Sequence, residues 1–234
     1  MDKHEFYTQH KERQEKTWGQ YNSLRPDNTD PRSAANITAR AVLDLHNINS
    51  LLDIGCGPLV FLDLLKGKVK DLYGVDIAEY SVWKSEKDIL TRMVDIDKEG
   101  IPFESSLFDC VTMLATLEHL FDPFNAVKEA HRVLKPGGYY IFSVPNIAGI
   151  KHRVDLCFGK LPVTSFEGSW QEKEWDGGHL HYFTLDSLRW LLDISGPFRI
   201  INVKGSGKFQ WLKSIYPAFF SQDLIITAVK EPGK

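Results

Sequence analysis

Five short apolar runs, at 50–54, 71–75, 89–94, 108–114 and 139–144, punctuate the first 146 residues. Stretches with helical spacing or breaker residues separate them. Runs of this length carrying apolar residues at consecutive positions are what parallel strands look like when both faces of the sheet are covered. Alternation of such strands with helices predicts an α/β fold with a doubly wound sheet. After residue 184 the order changes. A helix over 184–194 precedes two strand-like runs, 198–203 and 224–229. No helix is evident between those two, so an antiparallel hairpin at the sheet edge is expected. Helices are also expected over 1–25, 32–46 (with Ile37, Ala41, Val42 and Leu45 on one face), 59–65, 79–87, 123–134 and, shorter, near 147–157.

The first run ends in Gly55-Cys56-Gly57-Pro58 and leads into a helix. Glycines at that point let the backbone turn sharply and a ligand approach closely, and the following helix N-terminus offers free N–H groups. Asp76 ends the second run, 19 residues beyond Gly57. A carboxylate there accepts hydrogen bonds from a ribose diol. The combination points to an adenosine-type cofactor. A dinucleotide fingerprint needs a third glycine where this chain has Val60, and the tighter GxGxG pattern fails at Leu59. The loop without a ligand, as a plain strand-to-helix turn, is the competing reading.

Five ordered segments resemble the class I S-adenosylmethionine-dependent methyltransferases, in particular the small-molecule group that includes ubiquinone-biosynthesis O-methyltransferases. They are LLDIGCG, YGVDIAEYSV, MVDIDKEGIPFESSLFDCVTMLATLEHLFDP, HRVLKPGGYYIFSVPN and the later HLHYFTLDSLRWLLDISGP. The likeness covers 50–146 well and 176–200 loosely. It implies a Rossmann-like seven-stranded, mostly parallel sheet in the order 3-2-1-4-5-7-6. It implies S-adenosyl-L-methionine as cofactor and S-adenosyl-L-homocysteine as product. It places Gly55, Cys56 and Gly57 along the methionine moiety, with Asp53 and the Leu114 carbonyl facing its ammonium. Asp76 then binds the ribose, Ile77 packs on the adenine, and Asp95 and the Ile96 N–H meet the adenine edge. Leu59 departs from the family, many members of which have a third glycine there.

Other residues belong to the acceptor side. His119, after the fourth run, is the candidate general base on a substrate hydroxyl, and ordering of its loop is the bland alternative. His179 and His181 form an HxH pair, expected to share a face in strand-like geometry. Spacing shows no third ligand, so no metal is expected, and substrate contact competes with loop packing. Tyr21 and Trp18 lie on the N-terminal helix that closes over the cofactor in related enzymes. Trp170, with Phe166 and Trp175, is a candidate substrate wall. The ring-rich stretch Phe209, Trp211, Tyr216, Phe219 and Phe220 is assigned to the core by default. From Tyr139 to Phe220 the chain places 16 of its 28 aromatics.

Together these give one domain: a helical cap (1–47), a cofactor core (48–146), a substrate-side insertion (147–183) and a C-terminal helix with edge strands (184–234). A net charge of −3 argues against strong nucleic-acid binding. No apolar run reaches transmembrane length. The charged N-terminus has no signal-peptide core. Three cysteines without a CxxC suggest neither zinc nor disulfides, and Cys56 and Cys110 read as small buried residues. A cytoplasmic monomer or homodimer acting on a small molecule, with oxygen the favoured acceptor, is the expectation. A protein or RNA methyltransferase, a non-catalytic cofactor-binding module and a nicotinamide oxidoreductase are the alternatives.

Overall fold

The computed structural model describes residues 30–164, 178–207 and 210–231. The expected helix over 1–25, with Trp18 and Tyr21, lies outside them, as do Phe166, Trp170, Trp175 and Phe209.

Seven strands form one sheet: β1 (Ser50–Ile54), β2 (Asp71–Asp76), β3 (Ile89–Met93), β4 (Phe108–Leu114), β5 (Leu134–Pro145), β6 (Phe198–Gly205) and β7 (Asp223–Lys230). Their order is β3-β2-β1-β4-β5-β7-β6, as the resemblance implies. Only β7 is reversed, pairing antiparallel with β5 and with β6. Neighbouring residues of one strand bury into opposite layers. Leu52, Val111 and Phe142 belong to one apolar cluster, and Leu51, Cys110 and Ile141 to the other. That two-sided burial is why the strands read as unbroken apolar runs.

The first cluster is completed by α4 (Pro123–Val133) and α6 (Leu185–Ser195), which contribute Ala126, Val127, Leu188 and Leu191. The second is completed by α1 (Ala34–Leu43) and α2 (Val60–Asp63) through Ile37, Val42, Phe61 and Leu62. Caps set the starts of these helices: Ser33 accepts from the Asn36 N–H, Asp122 from Asn125, and Thr184 forms a reciprocal box with Ser187. The remaining helices are α3 (Ile96–Glu99), α5 (Ile150–Cys157), α7 (Gln210–Ile215) and α8 (Pro217–Phe220). Among the described residues no helix is long and apolar enough to cross a membrane.

Four expectations need correction. The helix over 79–87 is only a 3-10 turn, Ser81–Ser85, whose Trp83 indole N–H donates to the Gly57 carbonyl at 2.9 Å. β5 begins at Leu134 and runs through Lys135-Pro136-Gly137-Gly138, with an irregular register against β4 between Phe108 and Cys110. Two helices, α7 and α8, separate β6 from β7. The ring-rich stretch is not core: Trp211 is 64% and Tyr216 56% exposed.

Leu59, the residue that departs from the family, takes a left-handed conformation at φ +67° and is fully buried. Glycine would relieve about 1 kcal/mol of strain but empty a site worth about 3–4 kcal/mol of leucine burial. Leu59→Gly is expected to lower unfolding stability by about 2–3 kcal/mol in urea. A gain in stability would show that strain outweighs packing.

Candidate functional site

The strand order reverses between β1 and β4, and in open α/β sheets ligands bind beyond the carboxyl ends of the strands at that point. The loop after β1 is pinned there from several sides. The Gly55 and Cys56 N–H groups donate to the Val75 carbonyl of β2 at 2.8 and 3.1 Å. The Gly57 N–H donates to Asp76 Oδ2 at 2.9 Å, while Ala78 donates to Oδ1 at 3.1 Å. Asp76 is thus a buried carboxylate tying the glycine loop to the end of β2. Burial pushes its pKa up, and the backbone donors from Ala78 and Gly57 pull against that.

Glycine is required at two positions. Gly55 (φ +76°) leaves no room for a side chain, since a Cβ would lie 2.1 Å from Thr116 Oγ1. Gly57 (φ +49°) has room for a Cβ, with nothing nearer to it than the Tyr80 hydroxyl at 3.9 Å, an ordinary contact. The first glycine serves packing; the second leaves a cradle.

Asp53, at 2% exposure, receives the Thr112 hydroxyl at 2.7 Å. Burial raises its pKa to about 7, against the Thr112 bond and with a smaller contribution from the Asp76 charge. Among the described residues neither Asp53 nor Asp76 has an ion-pair partner. Cys56 and Cys110 are buried with raised pKa values, chiefly through burial, as expected of inert thiols.

The remaining cofactor-side residues lie at the same sheet edge. Ile77 follows Asp76 and packs on the second apolar cluster. Asp95 caps α3, its side chain accepting from the Asp97 N–H at 3.2 Å, and Ile96 opens that helix with its side chain buried. The half-buried Leu114 ends β4, and its carbonyl accepts the Thr116 hydroxyl at 3.0 Å.

Beyond β4, a 3-10 turn (Leu117–His119) presents two side chains. His119 Nδ1 lies 2.9 Å from the Gly178 carbonyl. A carbonyl only accepts, so Nδ1 carries the proton, and in the neutral ring the lone pair sits on Nε2. Glu118 is 1% exposed, and both its oxygens lack a hydrogen-bond partner among the described residues. Burial pushes its pKa up to about 8, with Asp223 at the start of β7 adding repulsion.

Loop 178–182 is bent rather than extended, so the alternation expected to put His179 and His181 on one face does not apply. His179 reaches the turn, its ring centroid 4.8 Å from that of His119 and its Nδ1 2.6 Å from the Thr164 hydroxyl. His181 stands beside Phe183 instead, ring centroids 6.2 Å apart. Glu118, His119 and His179 bring ligand atoms within 4.8 Å of one another. Thr112, Thr116, Trp83, Glu118 and Asp223 were not singled out from the sequence. Only Glu118 carried a signal, an acid set beside His119 in an apolar stretch.

Comparisons with known proteins agree with this architecture. A family profile described as a methyltransferase domain matches residues 22–197. The ubiquinone biosynthesis O-methyltransferase of Idiomarina loihiensis is 35% identical over 102 residues, which are 41% of this chain and 42% of that protein. The chain thus spans under half the length of the curated relatives it matches. Among solved structures, the Burkholderia thailandensis 1,6-didemethyltoxoflavin-N1-methyltransferase, with that compound and S-adenosylhomocysteine bound, has a TM-score of 0.66 at 18% identity. That alignment covers 99% of this chain and 92% of that one. A putative methyltransferase in complex with the Haloferax volcanii Trm112 activator has a TM-score of 0.65 at 14% identity, covering 92% and 98%. At these identities the structures testify to the fold.

Proposed function

The chain belongs to the methyltransferase-domain family, and on that premise we propose that it methylates a small-molecule acceptor using S-adenosyl-L-methionine, with oxygen the favoured acceptor atom. The observation that carries this is the glycine loop after β1 bonded to the buried Asp76 carboxylate at the end of β2. The residues present suit this cofactor. Gly57 leaves a backbone cradle, and two buried carboxylates without ion-pair partners among the described residues suit a ligand bearing an ammonium, a sulfonium and a diol. When bound, S-adenosyl-L-methionine supplies an activated methyl group open to in-line displacement.

The chain's own residues hold and orient. Asp76 keeps lone pairs for the ribose hydroxyls beyond those used by Gly57 and Ala78. Asp53 and the Leu114 carbonyl face the ammonium, and Gly55 and Cys56 line the methionine moiety with backbone. Ile77 packs on the adenine, and Asp95 with the Ile96 N–H meets its polar edge. His119 Nε2 is the candidate acceptor for a hydroxyl proton. His181, with Trp170 and Tyr21 from outside the described residues, belongs to the acceptor side.

Calorimetry with S-adenosylhomocysteine and NAD tests the reading: the first is expected to bind and the second not. NAD binding alone would overturn it. Asp76→Ala is expected to weaken S-adenosylhomocysteine by about 1–3 kcal/mol, roughly 5- to 150-fold, through lost charged hydrogen bonds. Unchanged affinity would refute the role of Asp76. Tight cofactor binding without labelled product from a broad acceptor panel would favour a non-catalytic binding module.

A further inference from the structure

The loop after β1 keeps no main-chain donor for a ligand between residues 55 and 59. Gly55 and Cys56 both donate to the Val75 carbonyl, and Leu59 donates to the Cys56 carbonyl at 3.1 Å. The Gly57 N–H is held by Asp76, and Pro58 has none. The Gly57 carbonyl already accepts the Trp83 indole N–H. Asp76, when ionised, offers lone pairs only. Each hydroxyl of a sugar diol both donates and accepts, so Asp76 answers half of what such a diol presents. The other half needs a donor from a side chain.

Tyr80 stands at that place. It is 2% exposed, and its hydroxyl is the nearest atom to where a Gly57 side chain would begin, 3.9 Å away. Its carbonyl accepts the Trp83 N–H at 3.0 Å, and its ring packs on the Trp83 ring with centroids 5.7 Å apart. Trp83 is in turn bonded to Gly57. The phenol is therefore fixed in place, and only its hydrogen is free to rotate. Among the described residues no hydrogen bond engages that hydroxyl, although buried tyrosine hydroxyls usually find one. The Asp76 charge acts on Tyr80, yet the donors to Asp76 are the backbone groups of Ala78, Gly57 and Ile77. Burial first, then the Asp76 charge, pushes the Tyr80 pKa up, so the hydroxyl keeps its proton and remains a donor.

We infer that the Tyr80 hydroxyl is a further cofactor-binding group, donating to one ribose hydroxyl oxygen while Asp76 accepts from the diol. The inference rests on the methyltransferase reading above. Tyr80 and Asp76 then flank Gly57 as a donor and an acceptor, a pair that a ribose matches and a deoxyribose does not. Such a pair makes Tyr80 a determinant of sugar specificity. Ribonucleoside thioethers rank above their deoxy counterparts by more than Asp76 alone would give.

Calorimetry on Tyr80→Phe tests this. Affinity for S-adenosylhomocysteine is expected to fall about 3- to 10-fold, the worth of one neutral hydrogen bond. The same loss is expected with 5′-methylthioadenosine, which keeps the ribose and lacks the amino-acid tail. The loss is expected to vanish with one of the two deoxy forms of S-adenosylhomocysteine, 2′ or 3′, namely the one without the partner oxygen. Urea unfolding of Tyr80→Phe should match the parent, because the hydroxyl removed has no hydrogen-bond partner among the described residues. The exposed Tyr216→Phe serves as control, with affinity unchanged. Parental S-adenosylhomocysteine affinity in Tyr80→Phe overturns the inference. A loss seen with S-adenosylhomocysteine but not with 5′-methylthioadenosine also overturns it, since the hydroxyl then meets the amino-acid tail. A loss of equal size with both deoxy forms does the same. In these three cases the wild-type chain binds S-adenosylhomocysteine and the methyltransferase reading stands. A wild-type chain that binds none of these ligands sinks that reading, and this inference with it.

Discussion

Gly55→Ala is expected to cost the fold about 3–4 kcal/mol and to abolish measurable cofactor binding. Two terms add. A non-glycine residue at φ +76° carries about 1 kcal/mol of strain. The new Cβ would also sit 2.1 Å from Thr116 Oγ1 and 2.7 Å from its Cγ2. Thr116 cannot swing aside freely, because its single hydroxyl hydrogen is donated to the Leu114 carbonyl at 3.0 Å, with the Ile54 carbonyl 3.3 Å away; forcing it aside costs about 2–3 kcal/mol in lost hydrogen bonding and overpacking. Gly57→Ala provides the contrast. Its Cβ meets only the Tyr80 ring end, at an ordinary contact distance of 3.9–4.0 Å, so stability should fall by only the strain of about 1 kcal/mol. Its affinity for S-adenosylhomocysteine should fall more than tenfold, because the methyl group fills the cradle. Urea unfolding and calorimetry on the two variants separate these effects. A Gly55→Ala chain within 1 kcal/mol of the parent would refute the packing role assigned to that residue.

The second large effect is a pH dependence centred on Asp53. Burial lifts its pKa from 3.8 to about 7, against the Thr112 hydrogen bond. Between those values the folded chain holds a proton that the unfolded chain has released. Stability should therefore fall as pH rises from about 4 to 7, by about 4 kcal/mol from this group, and Glu118, lifted by burial to about 8, carries the fall on beyond pH 7. Asp76, raised by burial despite its backbone donors, adds to the same slope. The Cys56 and Cys110 thiols, pushed up chiefly by burial, stay neutral throughout. Asp53→Asn should make the profile shallower between pH 4 and 7, leaving the slope due to Glu118 and Asp76, which urea midpoints at several pH values would reveal. Cofactor binding shows the other side of this linkage. An ammonium beside Asp53 favours its ionised form, so S-adenosylhomocysteine affinity should climb with pH and plateau above about 7. Calorimetry in buffers of different ionisation enthalpy should detect proton release near pH 6. Affinity that is flat from pH 6 to 8 would rule out this pairing.

The cofactor side was readable because its parts sit next to strand ends. Asp53, Gly55 and Asp76 lie within a few residues of apolar runs that announce β1 and β2, and strand geometry delivers them to one edge. Leu59 illustrates the limit of such reading. The departure from glycine is visible in sequence, but not that a leucine is held left-handed there by full burial. The acceptor side was less readable for a different reason. Glu118 and His179 meet through backbone bonds across about sixty residues, and no spacing in the sequence encodes that meeting. Lys135-Pro136-Gly137-Gly138 reads as a turn, yet pairing with β4 draws it into β5. The rings of 211–220 show no period because α7 and α8 are too short to display one, and Trp211 is left largely exposed. The aromatic skew thus mixes core rings such as Tyr140 and Phe142 with surface ones, and gives no direct measure of an apolar acceptor pocket.

The placement of β7 has a consequence for how the molecule is made. The strand nearest the end of the described chain lies not at the margin of the sheet but between β5 and β6, with Leu224, Ile226 and Ala228 fully buried. During synthesis β5 therefore emerges with one flank open, and β6 has no neighbour in the sheet until residues 223–230 have left the ribosome. For that interval both strands offer unpaired backbone to any passing strand. A nascent chain stalled just before residue 223 should be far more sensitive to proteolysis and self-association than one released only eight residues later.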